Sequence, residues 1–433
     1  MGRNFQVHDR RGKVLIMQGY VTFVWVTLPF ASLLHFTGLN FASLSILAAA
    51  MVGFAHVMHA SMSGRMEKTA FGVLVVFGAL IFFGVMPIVW QPQFRYGEYS
   101  KGVLSQLVSL FGLLGYVTTL TMYPNSARKG LLWGIYLFTA VAFVEIAAML
   151  LGAGQVKVAL NMILSGQTSS RVIATGFEPS VASRIAIFNI GALLFVSPAR
   201  PPAVWVLLLT TNLLVFALSF SIIGFMVPVV FLFLVVIARI RSFFSGRLLA
   251  TLLIAGIAVG WMVALSWDTI VATHAGRRII MASRVPMSEW VYLDGSTALR
   301  VLNQVVAARI FVDFPFGIGA GQFSNYYNDY GGSLFLPVAN LGEVAKTFEQ
   351  ESANPQSIFM RLIVEGGAFS LAVLVGIAVF VLSYLRRFAL GEHFFLSFII
   401  VSAGQTASFG FAQIWVAMTF LLTKVVRDNH LAK

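Results

Sequence analysis

Twelve long apolar runs set the first limit on what this chain can become. They fall at about 14–36, 41–60, 70–90, 102–123, 130–152, 181–197, 203–219, 221–238, 248–267, 357–385, 393–407 and 409–426. A helix that crosses the hydrocarbon core of a bilayer needs about 20 apolar residues. Every backbone polar group inside that core has to be paired within its own segment, which makes such runs helices. The run at 14–36 follows Arg10, Arg11 and Lys13, as a secretory leader would. It is too long for a leader and has no small-residue cleavage site, so it reads as the first membrane helix. The run at 181–197 is barely long enough to span, and the pair at 203–238 has no real linker.

Hydrophobic residues make up 58% of the 433 and charged residues 10%, against about 45–50% and 25% in soluble domains. The composition excludes a soluble globular protein, a secreted disulfide scaffold and a disordered tail. With no cysteine, disulfides, thiolate metal sites and cysteine nucleophiles are excluded too. The expected fold is all-α: a polytopic membrane protein of about 12 transmembrane helices with one large helical loop. Residues 1–267 hold the first nine helices, 268–356 the loop, and 357–433 the last three helices.

Charge gives the orientation. One set of alternate loops holds Arg3, Arg10, Arg11, Lys13, Arg65, Lys68, Arg128, Lys129, Arg200, Arg239, Arg241, Arg247, Arg386, Arg387, Lys424, Arg427 and Lys433. The acids there are Asp9, Glu67, Glu392 and Asp428, so these loops carry the whole net charge of +13. The positive-inside rule places them, and both termini, in the cytoplasm. The cationic loops are short and scattered, without aromatic interleaving, so nucleic acid is not an expected partner. No internal repeat is visible, which counts against inverted-repeat transporters.

The long loop then lies outside. Extended to Glu365 it holds nine of the 16 acids, and its cations are Arg277, Arg278, Arg284, Arg300, Arg309 and Arg361 against a single Lys346. Loops of this length are usually functional or disordered, and this one has helix and turn signals. Asp294-Gly295 suits a turn, Ser296 or Thr297 a helix cap, and Leu299 to Phe311 a helix that Asp313-Phe314-Pro315 ends. Helical spacing puts Arg300, Asn303, Gln304 and Ala307 on one face, with Arg309 roughly opposite Arg300. Gly317, Gly319 and Gly321 follow at alternate positions. Such glycines suit sharp turns and close backbone approach, either packing the loop onto the bundle or lying beside a phosphate. Phe323, Tyr326, Tyr327 and Tyr330, with Asn325 and Asn328, come next; they suit sugar stacking or an interfacial aromatic belt. A second loop, about 153–181, contains Arg171 and Glu178. Glu145 lies inside the fifth run, and an intramembrane acid is a functional candidate by default. It reads as a proton path or as a protonated helix contact. His35, His56 and His59 sit near span ends and read as interfacial.

These residues resemble the O-antigen polymerase and O-antigen ligase superfamily of membrane glycosyltransferases. The resemblance rests on Arg300, the interval from it to Pro315, Gly317-Ile318-Gly319-Ala320-Gly321, Pro355-Gln356-Ser357-Ile358-Phe359 and Glu365-Gly366. Arg171 with Thr175-Gly176-Phe177-Glu178-Pro179-Ser180, and Ser219-Phe220-Ser221, extend it. The motifs cover about a third of the chain. Gln356 stands where the family often has histidine, and Glu178-Pro179-Ser180 where it has Asn-Pro-Asn. Glutamine cannot accept a proton at physiological pH, so a histidine-base mechanism does not carry over, and its absence counts against the ligase branch.

The resemblance implies a GT-C-like glycosyltransferase in a bacterial inner membrane, acting on the periplasmic side. It would polymerise polyprenyl-diphosphate-linked repeat units by an inverting mechanism. A ligase moving glycan to lipid A or protein is the neighbouring alternative. A flippase or transporter is the alternative of another class. A repeat-unit flippase and a chain-length co-polymerase are the implied partners. Arginine holds phosphates through paired hydrogen bonds and keeps its charge near lipid, so Arg300 and Arg171 are expected at the diphosphate. No cofactor is implied, and no Asp-x-Asp pair or His/Asp cluster calls for a metal. A carboxylate base is expected among Glu351, Glu349 and Glu178; the alternative is that no strong base is needed, because the diphosphate is a good leaving group, and Gln356 orients the acceptor hydroxyl. Asn303, Gln304, Arg309, Gly319, Gly321, Tyr326, Tyr327, Arg277 and Arg278 are the expected substrate contacts.

Overall fold

A computed structural model describes residues 15–30, 43–64, 66–91, 95–165, 172–176, 178–196, 202–219, 221–238, 280–281, 284–286, 289, 295–335, 344, 354–406 and 408–431. All regular structure among them is helical. In chain order the helices are α1 Leu15–Val26, α2 Leu44–Ser63, α3 Lys68–Val85, α4 Tyr96–Met122, α5 Pro124–Leu150, α6 Gly154–Ser165, α7 Pro179–Phe195, α8 Pro202–Leu218 and α9 Ile222–Ala238. Then come α10 Gly295–Asp313, α11 Phe323–Phe335, α12 Ile358–Tyr384, α13 Leu390–Gly404 and α14 Ala412–Leu431.

Eleven of the twelve apolar runs coincide with one of these helices; the run at 248–267 lies outside the described residues. Among the described residues five helices are long and apolar enough to cross a membrane, or six if α8 and α9 form one bent span. The other apolar helices fall below that length for local reasons. The helices α1, α7 and α13 are too short. The helices α8 and α9 lie at 115° to each other, between Leu218 and Ile223, where the sequence offered no linker. The last helix ends in Lys424, Arg427 and Asp428.

Small residues set the closest contact, between α2 and α4. A Cβ on Gly115 would collide with the Ala49 carbonyl, one on Gly53 with the Phe111 carbonyl, and one on Gly112 would press the Ile46 side chain. Close backbone approach of this kind is what holds helices together where lipid removes the hydrophobic drive. Buried polar pairs fix the register. Trp25 Nε1 donates to Thr119 Oγ1 at 3.0 Å, Ser45 and Tyr116 share a hydrogen bond of 2.7 Å, and Gln413 Nε2 donates to the Leu28 carbonyl at 2.8 Å.

Around this pair, α3 packs on α4 and α12, α14 on α4 and α13, and α13 on α7 and α9. The segment from α10 to α11 is a separate module with its own apolar core, built from Leu302, Val306, Ile310, Ile318, Phe323, Tyr326 and Tyr327. It rests on α12, which kinks at Gly367, a residue with φ 67°.

Candidate functional site

The helix α10 ends at Asp313, where the proline signal puts its end, but it begins at Gly295, so Gly295, Ser296 and Thr297, expected in the turn and at the cap, are part of the helix. Its predicted face is real. Asn303 and Ala307 are buried, Arg300 and Gln304 are half-buried, and Arg309 is exposed. Asn303 Nδ2 donates to the Asn354 carbonyl at 2.8 Å, and Gln304 Nε2 to the Gly404 carbonyl at 3.4 Å. The polar face therefore lies across two junctions, the entry to α12 and the exit of α13. Arg309 is exposed, away from the buried Asn303 and Ala307, as the helical spacing expects.

The helix α7 carries a residue that sequence reasoning missed. Arg184, in the second turn of α7, is 5% exposed. Its Nε donates to the Ser180 carbonyl at 3.3 Å, and its guanidinium stacks 4.5 Å from the centroid of Phe411. Its Nη1 is buried and has no hydrogen-bond partner among the described residues. Two charges act on it: the opposite charge of Glu178 and the like charge of Arg300. A buried guanidinium with an unused donor and a second arginine in electrostatic range is costly, and an anion between them would remove that cost. The sequence held a signal for it. A charge inside an apolar run is a functional candidate by default, the rule that singled out Glu145.

Gln356 borders the same face. Its backbone φ is +56°, uncommon for a residue with a side chain. Its amide donates to Asn354 Oδ1 at 3.0 Å. Strained backbone of this kind concentrates at functional sites. Ser357 then caps α12, accepting from the Met360 amide.

The glycine turn has a different job from a phosphate cradle. The amide of Ile318 donates to the Val364 carbonyl at 3.0 Å, that of Gly319 to the Glu365 carbonyl at 3.0 Å, and that of Ala320 to the Gly84 carbonyl at 2.8 Å. The Gly321 amide donates to Glu365 Oε1 at 2.8 Å. Every one of these donors is used within the protein, so Gly319 and Gly321 have none to offer a ligand. Both have φ near +90° or +75°, in the left-handed region, and a Cβ on Gly321 would collide with the Glu98 carbonyl. Glycine is required here for docking.

Tyr326 and Tyr327 are corrected in the same way. Both are buried. Tyr326 packs on Phe314 and its hydroxyl donates to Gln91 Oε1 at 2.9 Å. Tyr327 packs on Phe323 and its hydroxyl donates to Asn303 Oδ1 at 2.9 Å. Neither ring face is open for a sugar, and Asn303 uses both ends of its amide on the protein. Burial pushes the Tyr326 hydroxyl above its ordinary range. Glu178 is exposed and accepts from Ser180 Oγ at 3.0 Å.

Glu145 is a fastening. Its carboxylate accepts from the amide of Ile173 at 3.2 Å and of Ala174 at 2.7 Å, and the buried Lys157 feels its charge. Thr175 Oγ1 donates to the Pro29 carbonyl at 2.7 Å. The segment that leads into Glu178 and α7 is thus held by an ion and a hydroxyl.

Arg171, Glu351, Arg277 and Arg278 lie outside the described residues, as does Glu349. No group of three or more His, Cys, Asp or Glu suited to a metal occurs among the described residues. No family model matches the chain, and no curated protein matches it.

Proposed function

We propose that the protein is a membrane glycosyltransferase that polymerises polyprenyl-diphosphate-linked repeat units on the outer side of a bacterial inner membrane. Its architecture in this reading is GT-C-like, with about 12 spans and both termini cytoplasmic. The observation that carries it is Arg184, buried with an Nη1 that has no partner among the described residues, where the like charge of Arg300 is felt. Two guanidinium groups in range of each other call for a polyanion, and a diphosphate next to lipid supplies one.

In the proposed step an acceptor sugar hydroxyl attacks the anomeric carbon of the donor. The carbon–oxygen bond to the diphosphate breaks, and a glycosidic bond forms with inversion. Arg184 and Arg300 stabilise the charge that develops on the leaving diphosphate. Gln356 orients the attacking hydroxyl, and its proton passes to a loop carboxylate, for which Glu178 is the described candidate. The glycan stays on one carrier lipid and the other diphosphate lipid leaves. A flippase and a chain-length co-polymerase would supply repeats and set length. The role of Glu145 as a fastening also favours this reading over a transporter, since its carboxylate is occupied by the amides of Ile173 and Ala174.

The test is transfer activity in purified Arg300→Ala and Gln356→Ala. Arg300→Ala is expected to lose at least about a hundredfold in rate, the scale of one lost charge-stabilising donor. Full activity in Arg300→Ala refutes the assignment.

A further inference from the structure

One carboxylate joins three parts of this molecule. Glu365, in the loop-side half of α12, is 1% exposed. Its Oε1 accepts from the Gly321 amide at 2.8 Å and from Arg361 Nε at 2.8 Å. Its Oε2 accepts from Gln106 Nε2, on α4, at 2.6 Å. Its backbone carbonyl accepts from the Gly319 amide. Around it the chains are in direct contact: a Cβ on Gly102 of α4 would lie 2.6 Å from the Gly321 nitrogen, and one on Gly317 would lie 2.5 Å from the Glu365 carbonyl oxygen. Arg361, held by this carboxylate, stacks 4.8 Å from the centroid of Phe409. Phe409 and Phe411 belong to the short turn between α13 and α14, and Phe411 is the ring under Arg184.

We infer that Glu365 is a positioning residue: it pins the α10–α11 module to the bundle and, through Arg361, sets the turn that seats Arg184. The module, which carries Arg300, also docks through Tyr326 on Gln91, Gln322 on Arg95, Asn303 on Asn354 and several backbone hydrogen bonds. In this inference the one buried ion reaches both arginines, Arg300 through the module and Arg184 through the turn. A buried carboxylate with three donors is strongly held, and removing it takes from Arg361 its ion pair at 2.8 Å. The inference rests on the proposed function only in treating Arg184 and Arg300 as the site; the docking itself does not depend on it.

The chain has no cysteine of its own, so introduced cysteines report singly. Ala320→Cys lies in the docked turn, Ala412→Cys just past the α13–α14 turn, and Val117→Cys in the core of α4; all three positions are buried. Maleimide labelling is followed in detergent, without substrate, in wild-type, Glu365→Gln and Glu365→Ala backgrounds. Glu365→Ala is expected to speed labelling at 320 and 412 by at least about tenfold, as local opening does, and to leave 117 protected. Glu365→Gln keeps an acceptor for the Gly321 amide but no charge for Arg361. It is expected to restore protection at 320 and not at 412. Unchanged protection at 320 in Glu365→Ala overturns the inference. Labelling at all three positions also overturns it, because Glu365 would then serve the whole fold. Release at 320 with 412 unchanged overturns the link to Arg184. Because no substrate is present, these outcomes are independent of whether the protein transfers glycans.

Discussion

Replacing Arg184 by methionine separates an anion site from a structural ion pair. In the folded protein the guanidinium is desolvated, and Nη1 has no partner among the described residues. An unmet buried donor costs about 1–3 kcal/mol. The stacking on Phe411 at 4.5 Å offsets up to about 2 kcal/mol when desolvated. Methionine keeps the length and the contact with the ring, and exchanges of buried ions for apolar groups are often neutral or stabilising. Arg184→Met is therefore expected to unfold at the same temperature as wild type or a few degrees above it. Pyrophosphate is expected to do the opposite. At about 100 times its Kd it would stabilise wild type by about 2.7 kcal/mol and leave Arg184→Met unmoved. The assay is thermal unfolding in detergent by intrinsic fluorescence, with and without pyrophosphate. A loss of about 3 kcal/mol or more in Arg184→Met without anion would mean that a partner already satisfies the guanidinium. That result refutes the reasoning.

Gly115→Val is expected to abolish the α2–α4 contact, since even a Cβ collides with the Ala49 carbonyl; overpacking costs about 1–3 kcal/mol or more, read as loss of folded protein on size exclusion. Tyr327→Phe strands the buried Asn303 Oδ1 and is expected to cost about 1–3 kcal/mol with KM for the lipid-linked donor unchanged; a raised KM would return Tyr327 to the substrate. Tyr330, whose hydroxyl donates to Asp313 at 2.6 Å, is pushed up to about 12, by burial first and then by Asp313. The folded state therefore holds this proton more tightly than the unfolded chain. The stability it contributes is full below pH 10 and lost between pH 10 and about 12, to be followed as a late tyrosinate absorbance that Asp313→Asn moves to lower pH.

Hydropathy reported helix positions well because burial in lipid or protein acts on every residue of a run. It does not set the number of spans, because a run says nothing of a bend between Leu218 and Ile223 or of a helix that stops at 15 or 17 residues. The end and the faces of α10 were legible, since proline and a period of 3.6 are local; its start, at Gly295, was not. The role of the glycine turn was not. Its donors end on Gly84, Val364 and Glu365, and no local pattern announces a partner that far along the chain. Tyr326 and Tyr327 looked like sugar contacts because sequence cannot tell which face of α11 turns inward. Arg184 was the avoidable omission: its charge stood in plain view inside an apolar run.

The most direct test reconstitutes purified protein in vesicles with a polyprenyl-diphosphate-linked repeat in the outer leaflet and chelator present. The repeat is then followed by gel and by its sidedness. The expected result is a ladder of lengthened glycans on carrier lipid in wild type, lost in Arg300→Ala and Arg184→Met. A repeat that stays single and crosses the membrane, or moves to lipid A when that is supplied, contradicts the polymerase.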